Sequence, residues 1–144
     1  MGRPMYETAD HRLAEDAVRD LIAVNWRCKV EKMPISYKLD FAAVRERIVV
    51  AFLEVKCRQH RFGQYPTLML SAAKWQAGCA LAETYHIPFG LVIGWQDGVY
   101  WCRAQNDPSI RLEWGGRSTQ TRDSADIEPV VHVPVGQFKP LIAS

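Results

Sequence analysis

The 144-residue chain lacks any apolar run near the roughly 20 residues that a membrane-spanning helix requires, which argues against a membrane segment. Residues 1–16 carry charge throughout and contain no apolar stretch, so no secretory leader is expected. The four cysteines, Cys28, Cys57, Cys79 and Cys102, each lie more than twenty residues from the next, and no CxxC or CxxH pair occurs. A zinc cluster therefore lacks its usual ligand spacing, and reduced thiols in a cytoplasmic protein are the expectation. His11, His60, His86 and His132 are scattered, without HxH or HExxH spacing. No G-x-S-x-G elbow, phosphate-cradling G-x-x-x-x-G-K-[ST] or GxGxxG appears, which removes the usual signatures of serine hydrolases and nucleotide-driven enzymes.

What is present is an ordinary globular composition, 48% hydrophobic and 24% charged, at a length that suits one domain. The net charge of +2 is too small to announce a nucleic-acid binder. Its distribution says more. Residues 1–105 hold 14 Lys+Arg against 11 Asp+Glu, a net of +3, whereas residues 106–144 hold 4 against 5, a net of −1. The densest basic patch, Lys56-Cys57-Arg58-Gln59-His60-Arg61, follows directly on Glu54. It reads either as a solvated loop or as a phosphate-facing rim.

Helical spacing of Leu13, Ala17, Leu21 and Val24 predicts an amphipathic helix over 10–24, capped by Thr8 or Asp10. A strand is expected over 26–32, then a hairpin of strands 37–44 and 48–56 turning near Arg45-Glu46-Arg47. Residues 48–56 are apolar on both faces until their end, the pattern of a central strand covered on both sides. A loop over 58–66 and a helix over 70–85 follow, with Ser71 as a candidate cap and Gly78 as the helix's weak point. An apolar strand over 89–95 then turns at Gln96-Asp97-Gly98 into a strand over 99–103. Beyond about residue 106 the pattern weakens to short strands over 110–114 and 130–135, around a polar segment over 115–129. Trp75, Trp95 and Trp101 fit core or core-edge positions. Trp114, beside Glu113 and Gly115, could stack on a base if exposed, although burial is the commoner fate of a tryptophan.

Three residues form a chemical constellation. Glu54 and Lys56, two apart on a strand, leave the same face, and the hairpin returns Asp40 toward them. A turn centred on residue 46 pairs Asp40 with about Phe52, a gap that a bulge could close. Two carboxylates meeting at a strand end make an oxygen-donor site for Mg²⁺ or Mn²⁺, and an adjacent lysine can hold phosphate charge or position water. The competing reading is a solvated edge pair at Glu54 and Lys56, with Asp40 as a turn residue.

Asp40, thirteen intervening residues, then Glu54-Val55-Lys56 at the end of an apolar strand resembles the PD-(D/E)xK motif of the restriction-endonuclease-like nucleases, which include archaeal Holliday-junction resolvases and phage and recombination nucleases. The resemblance runs from the first helix to about Arg103. It implies an α/β domain spanning 1–144, with a restriction-endonuclease-like αβββαβ core (a mixed sheet flanked by helices) and a less regular extension from about residue 106. By that resemblance Asp40, Glu54 and the Val55 carbonyl would bind metal, Lys56 would assist the attacking water, and Glu15 on the first helix would complete the site, with Glu7 as its competitor. Leu39 stands where the motif's proline would be.

Arg58, Arg61, Gln64 and Tyr65 in the following loop and Lys74 on the second helix are candidate substrate contacts. Each has a plainer reading as a surface residue. The expected activity is Mg²⁺- or Mn²⁺-dependent hydrolysis of DNA phosphodiester bonds, directed by structure or low in sequence specificity, in the host cytoplasm if the chain is phage-encoded. A resolvase would act as a homodimer, a state the sequence does not reveal. The alternatives are a non-catalytic nucleic-acid-binding or assembly protein that keeps the fold, and a zinc protein using the cysteines.

Overall fold

The computed structural model describes the backbone of residues 3–116 and 127–141, and side chains from Ala14 onward. Thr8 and Asp10, considered as caps, and Glu7, the competitor of Glu15, have side chains outside the described residues. Helix α1 (Arg3–Trp26) extends past the predicted bounds and buries Val18 and Ile22, one turn apart, against the sheet. At its end, Arg45 donates to Trp26 O at 2.6 Å and to Arg27 O, just past the helix, at 3.1 Å, and the Cys28 N–H donates to Ala23 O at 3.2 Å. Because the helix continues through Trp26, the strand expected over 26–32 shortens to β1 (Lys29–Lys32).

Strands β2 (Phe41–Arg45) and β3 (Ile48–Cys57) form the predicted hairpin. A short 3-10 turn over Ile35–Tyr37 takes up the start expected for the first of them. Next comes β4 (Thr67–Ser71), a strand absent from the sequence reading, whose last two residues fall within the expected helix, and then the helix α2 (Ala72–Tyr85). Ser71 does stand at the N-cap, but its hydroxyl bonds Glu128 Oε1 at 2.8 Å rather than the helix backbone. Gly78, expected as the weak point of this helix, has a packing reason. A Cβ there would lie 2.2 Å from the Phe89 ring, so the missing side chain is what lets α2 approach the sheet. The chain continues through β5 (Phe89–Trp95), β6 (Gly98–Arg103), β7 (Arg111–Gly116), β8 (Ile127–Pro134) and β9 (Lys139–Pro140).

The large sheet runs β1-β2-β3-β5-β6-β9 and is mixed, parallel only between β3 and β5, whose connection includes α2. A smaller antiparallel sheet runs β4-β8-β7. The mixed α/β sheet flanked by helices is the fold class read from the sequence. Among the described residues, no helix is long and apolar enough to cross a membrane.

Register decides what β3 presents to each side. The turn at Glu46-Arg47, both left-handed with φ of 50° and 71°, pairs Arg45 with Ile48. A bulge between Ala43 and Val44 then shifts the ladder by one residue, so that Phe41 pairs with Leu53. Extending that register by one position sets Asp40 across from Glu54. Leu53 and Val55 face α1 in a core with Val18, Ile22 and Val92. Phe52 faces α2 and the small sheet, in a core with Trp75, Phe89, Leu91 and Val133.

Candidate active site

On the α2 side of β3, the strand's even positions run from the buried Phe52 through Glu54 to the partly exposed Lys56. Glu54 is 0% exposed, the one charged side chain among the buried residues described. Its Oε2 accepts a hydrogen bond from Lys74 Nζ at 2.8 Å and lies 3.2 Å from Lys56 Nζ. Lys74 Nζ also lies 3.5 Å from Asp40 Oδ1. Asp40, Lys56 and Lys74 keep between 29% and 31% of their side chains exposed, so Glu54 forms the floor of the site and the other three its rim. The solvated-edge reading of Glu54 fails on its complete burial, and Lys74 is not an exposed helix lysine.

Burial is the largest influence on Glu54 and pushes its carboxyl above the usual range; the Lys74 hydrogen bond pulls it back, the Asp40 charge adds to the rise, and the lysine charges oppose it. For Lys74, burial disfavours the ammonium, but the hydrogen bond and charge of Glu54 and the charge of Asp40 outweigh it and raise its pKa. The two shifts do not mirror each other, because only Glu54 is wholly enclosed. A 2.8 Å contact between them supports an ammonium paired with a carboxylate. Glu15 on α1 is half-buried, and its pKa is raised by burial first and by the Asp40 charge next, with Arg19 and Lys56 opposing. It therefore shares the field of the site.

The donor set suits a hard divalent cation. Asp40 and Glu54 offer carboxylate oxygens, and Glu54 Oε1 is buried without a hydrogen-bond partner, an acceptor left open for a ligand. Val55 lies between Glu54 and Lys56, level with Val92 of β5, its side chain in the α1-side core. Among the described residues, no three of His, Cys, Asp and Glu gather closely enough to hold a metal, so no third acidic side chain joins Asp40 and Glu54 as placed. The four cysteines are free.

The loop after β3 holds the other candidates. Arg58 donates to the carbonyls of Cys57 at 3.2 Å and Met69 at 3.4 Å, tying the loop to β4. Arg61 lies 3.7 Å from Asp97, whose Oδ1 accepts the Phe62 N–H at 2.8 Å. Gln64 bonds the Tyr65 hydroxyl at 3.5 Å, and the exposed Tyr65 ring meets the edge of His60 with centroids 4.8 Å apart. A cleft of about 650 Å³ beside this loop is lined by Arg58, His60, Tyr65, Thr67, Arg111 and His132, among others. Sequence reading missed Arg111 and His132. The available signal was the polar His132 between Val131 and Val133, which marks the outward face of a strand. A second cleft, about 440 Å³, opens on Asp40 and Lys74 and is rimmed by Lys32 and Lys38. Trp114, for which burial was expected, is 72% exposed, on the same face of β7 as the exposed Leu112.

With this geometry in place, the sequence model of the family described as "Phage putative PDDEXK endonuclease" matches residues 1–141. The chain belongs to that phage PDDEXK endonuclease family. No curated protein matches the chain. Among solved structures, the chain is similar to the Holliday junction resolvase Hjc of the archaeal hyperthermophile Archaeoglobus fulgidus, at 16% identity and a TM-score of 0.52, over 85% of this chain and 95% of that one. At this identity the likeness speaks for the restriction-endonuclease-like fold alone. Family and fold agree with the resemblance carried by Asp40 and Glu54-Val55-Lys56.

Proposed function

We propose that this member of the PDDEXK endonuclease family is a metal-dependent deoxyribonuclease whose working centre is Asp40, Glu54 and Lys56, with residues 1–144 acting as one domain. The observation that carries the reading is Glu54. A carboxylate with no exposure, on a central strand, costs several kcal/mol in desolvation, and a leucine there would pack without that cost. Its unpaired Oε1 and the neighbouring Asp40 give the carboxylate a use as a cation ligand. Asp40 and Glu54 would hold Mg²⁺ or Mn²⁺, with the Val55 carbonyl as a further donor. Such an ion polarises a phosphodiester and lowers the pKa of water when bound. Lys56, anchored on Glu54 and partly exposed, holds charge at the attacked phosphate or orients the water. Glu15 supports the site from α1 through the shared field.

Arg58, Arg61, Gln64 and Tyr65 follow Lys56 in the loop after β3, from where they would grip the flanking backbone without reading its sequence. The fold shared with a Holliday junction resolvase makes branched DNA the first substrate to try, and two symmetric cuts would require two copies of the chain. A panel of linear, nicked, branched and single-stranded DNA with Mg²⁺, Mn²⁺ or chelator tests the reading. Cleavage that needs the ion and is lost in Asp40→Asn supports it. Binding of DNA that ignores chelator and yields no product favours instead a nucleic-acid-binding protein that has kept the fold, a reading to which the Lys74 ammonium across both acids lends weight.

A further inference from the structure

Two lysines approach the acids, and they do so differently. Lys56 Nζ contacts Glu54 Oε2 alone, from the same strand. Lys74 Nζ, from the first turn of α2, spans Glu54 Oε2 at 2.8 Å and Asp40 Oδ1 at 3.5 Å. They belong to the two carboxylates that the proposed metal would use. Magnesium coordinates oxygen at about 2.0–2.1 Å and calcium at about 2.3–2.6 Å. An ion that bridges both carboxylates at such distances would compete with the Lys74 ammonium for the space between them, whereas Lys56 touches Glu54 alone.

We propose that Lys74 is an exchangeable counter-cation. In the metal-free protein its ammonium holds Asp40 and Glu54 together. It has to leave both carboxylates for a divalent ion to bind, and it then turns outward to meet a substrate phosphate. The inference rests on the nuclease reading above. Three features support the exchange. The Lys74 stem is long and flexible, and its side chain is 30% exposed. The cleft of about 440 Å³ that it lines offers room beyond the acids, among Lys32 and Lys38, where an anion would already be attracted. Glu54 Oε1, without a partner, offers an arriving ion a first oxygen that the ammonium does not hold. Lys74 is thus a positioning residue in the resting site and a substrate contact in the loaded one.

The test uses the full chain without DNA, titrated with Mn²⁺ or Ca²⁺ by calorimetry. Lys74→Met should bind the ion about tenfold more tightly than wild type, a change of about 1.4 kcal/mol, while Lys74→Arg, which keeps the charge, should stay near wild type. In the wild-type protein, acylation of the Lys74 amine, read by peptide mass spectrometry, should rise when Ca²⁺ is added. Equal ion affinities in wild type and Lys74→Met would overturn the exchange and leave the nuclease reading standing, as would a Lys74 amine whose reactivity ignores Ca²⁺. If neither folded protein binds an ion, the metal-dependent reading falls and the exchange with it. Should Lys74→Met fail to fold, the acylation experiment on the wild-type chain decides.

Discussion

The two faces of β3 meet the two helices with different chemistry. Toward α1 the strand presents Leu53 and Val55, both closed against Val18, Ile22 and Val92, with Cys57 partly buried beyond them. Toward α2, one residue out of step, it presents Phe52, Glu54 and Lys56. Both faces are covered, so burial alone does not distinguish them. The α1 face is what a sheet needs for stability, with each enclosed aliphatic side chain contributing about 1.5–3 kcal/mol. The α2 face departs from that rule at Glu54, then supplies two ammonium groups to tolerate the departure. A charge kept where a leucine would pack is the cost that the proposed ion-binding role of Glu54 accounts for.

Substitutions on one face should strike activity, and on the other stability. The largest effect is expected at Lys56→Ala, which should lower cleavage by at least about 100-fold in Mg²⁺, the scale of removing one well-placed electrostatic donor. Its denaturant midpoint should scarcely move, since a partly exposed strand-end lysine adds little to the core. Retention of wild-type cutting would erase the contrast. Leu53→Ala, one step from Glu54 but on the α1 face, should cost about 2–5 kcal/mol in urea unfolding. Its cleavage rate per folded molecule should remain, and a loss there as large as that of Lys56→Ala would show that the faces do not act separately.

A smaller effect is expected at Gly78→Ala, where the new methyl meets the Phe89 ring and pushes α2 from the sheet, costing about 1–3 kcal/mol. Because Lys74 rides on that helix, ion affinity should change along with stability. A stable variant with unchanged ion binding would mean that the site does not depend on the seating of α2. The smallest effect concerns Asp97, where the Phe62 N–H hydrogen bond, with help from the Arg61 charge, holds the carboxyl below its usual value of 3.8. A lowered folded-state pKa contributes stability that is present above the unfolded value and lost as pH falls through the folded one. Asp97→Asn should therefore flatten the loss of stability below about pH 4. Identical acid unfolding curves for variant and wild type would contradict this role in anchoring the loop.

The legible parts of the fold were those governed by local periodicity. The even-handed apolarity of 48–56 marked a strand covered on both sides, and the hairpin, the crossover helix and the strand pair after it followed from alternation and turn residues. Strand β4 was lost because Leu68 and Leu70 continue smoothly into the helical spacing that begins at Ala72, and only pairing with β8 separates the two. Lys74 was legible as a candidate but not as a partner of the acids, since twenty residues separate it from Glu54. Trp114 was misjudged because burial depends on what covers a strand's face, and this residue shares an exposed face of β7 with Leu112.

By itself the sequence determined that Glu54 and Lys56 share a face at the end of a central strand, because a strand repeats every two residues whatever surrounds it. Only the tertiary structure decided that Asp40 belongs to that face. With the turn at Glu46-Arg47 and a regular ladder, Asp40 would fall opposite Leu53, on the α1 side; the bulge at Ala43/Val44 moves it by one and reverses its side. That one-residue shift, and the packing of α2 that carries Lys74 to both acids, depend on contacts between residues far apart in the chain, which no local pattern encodes.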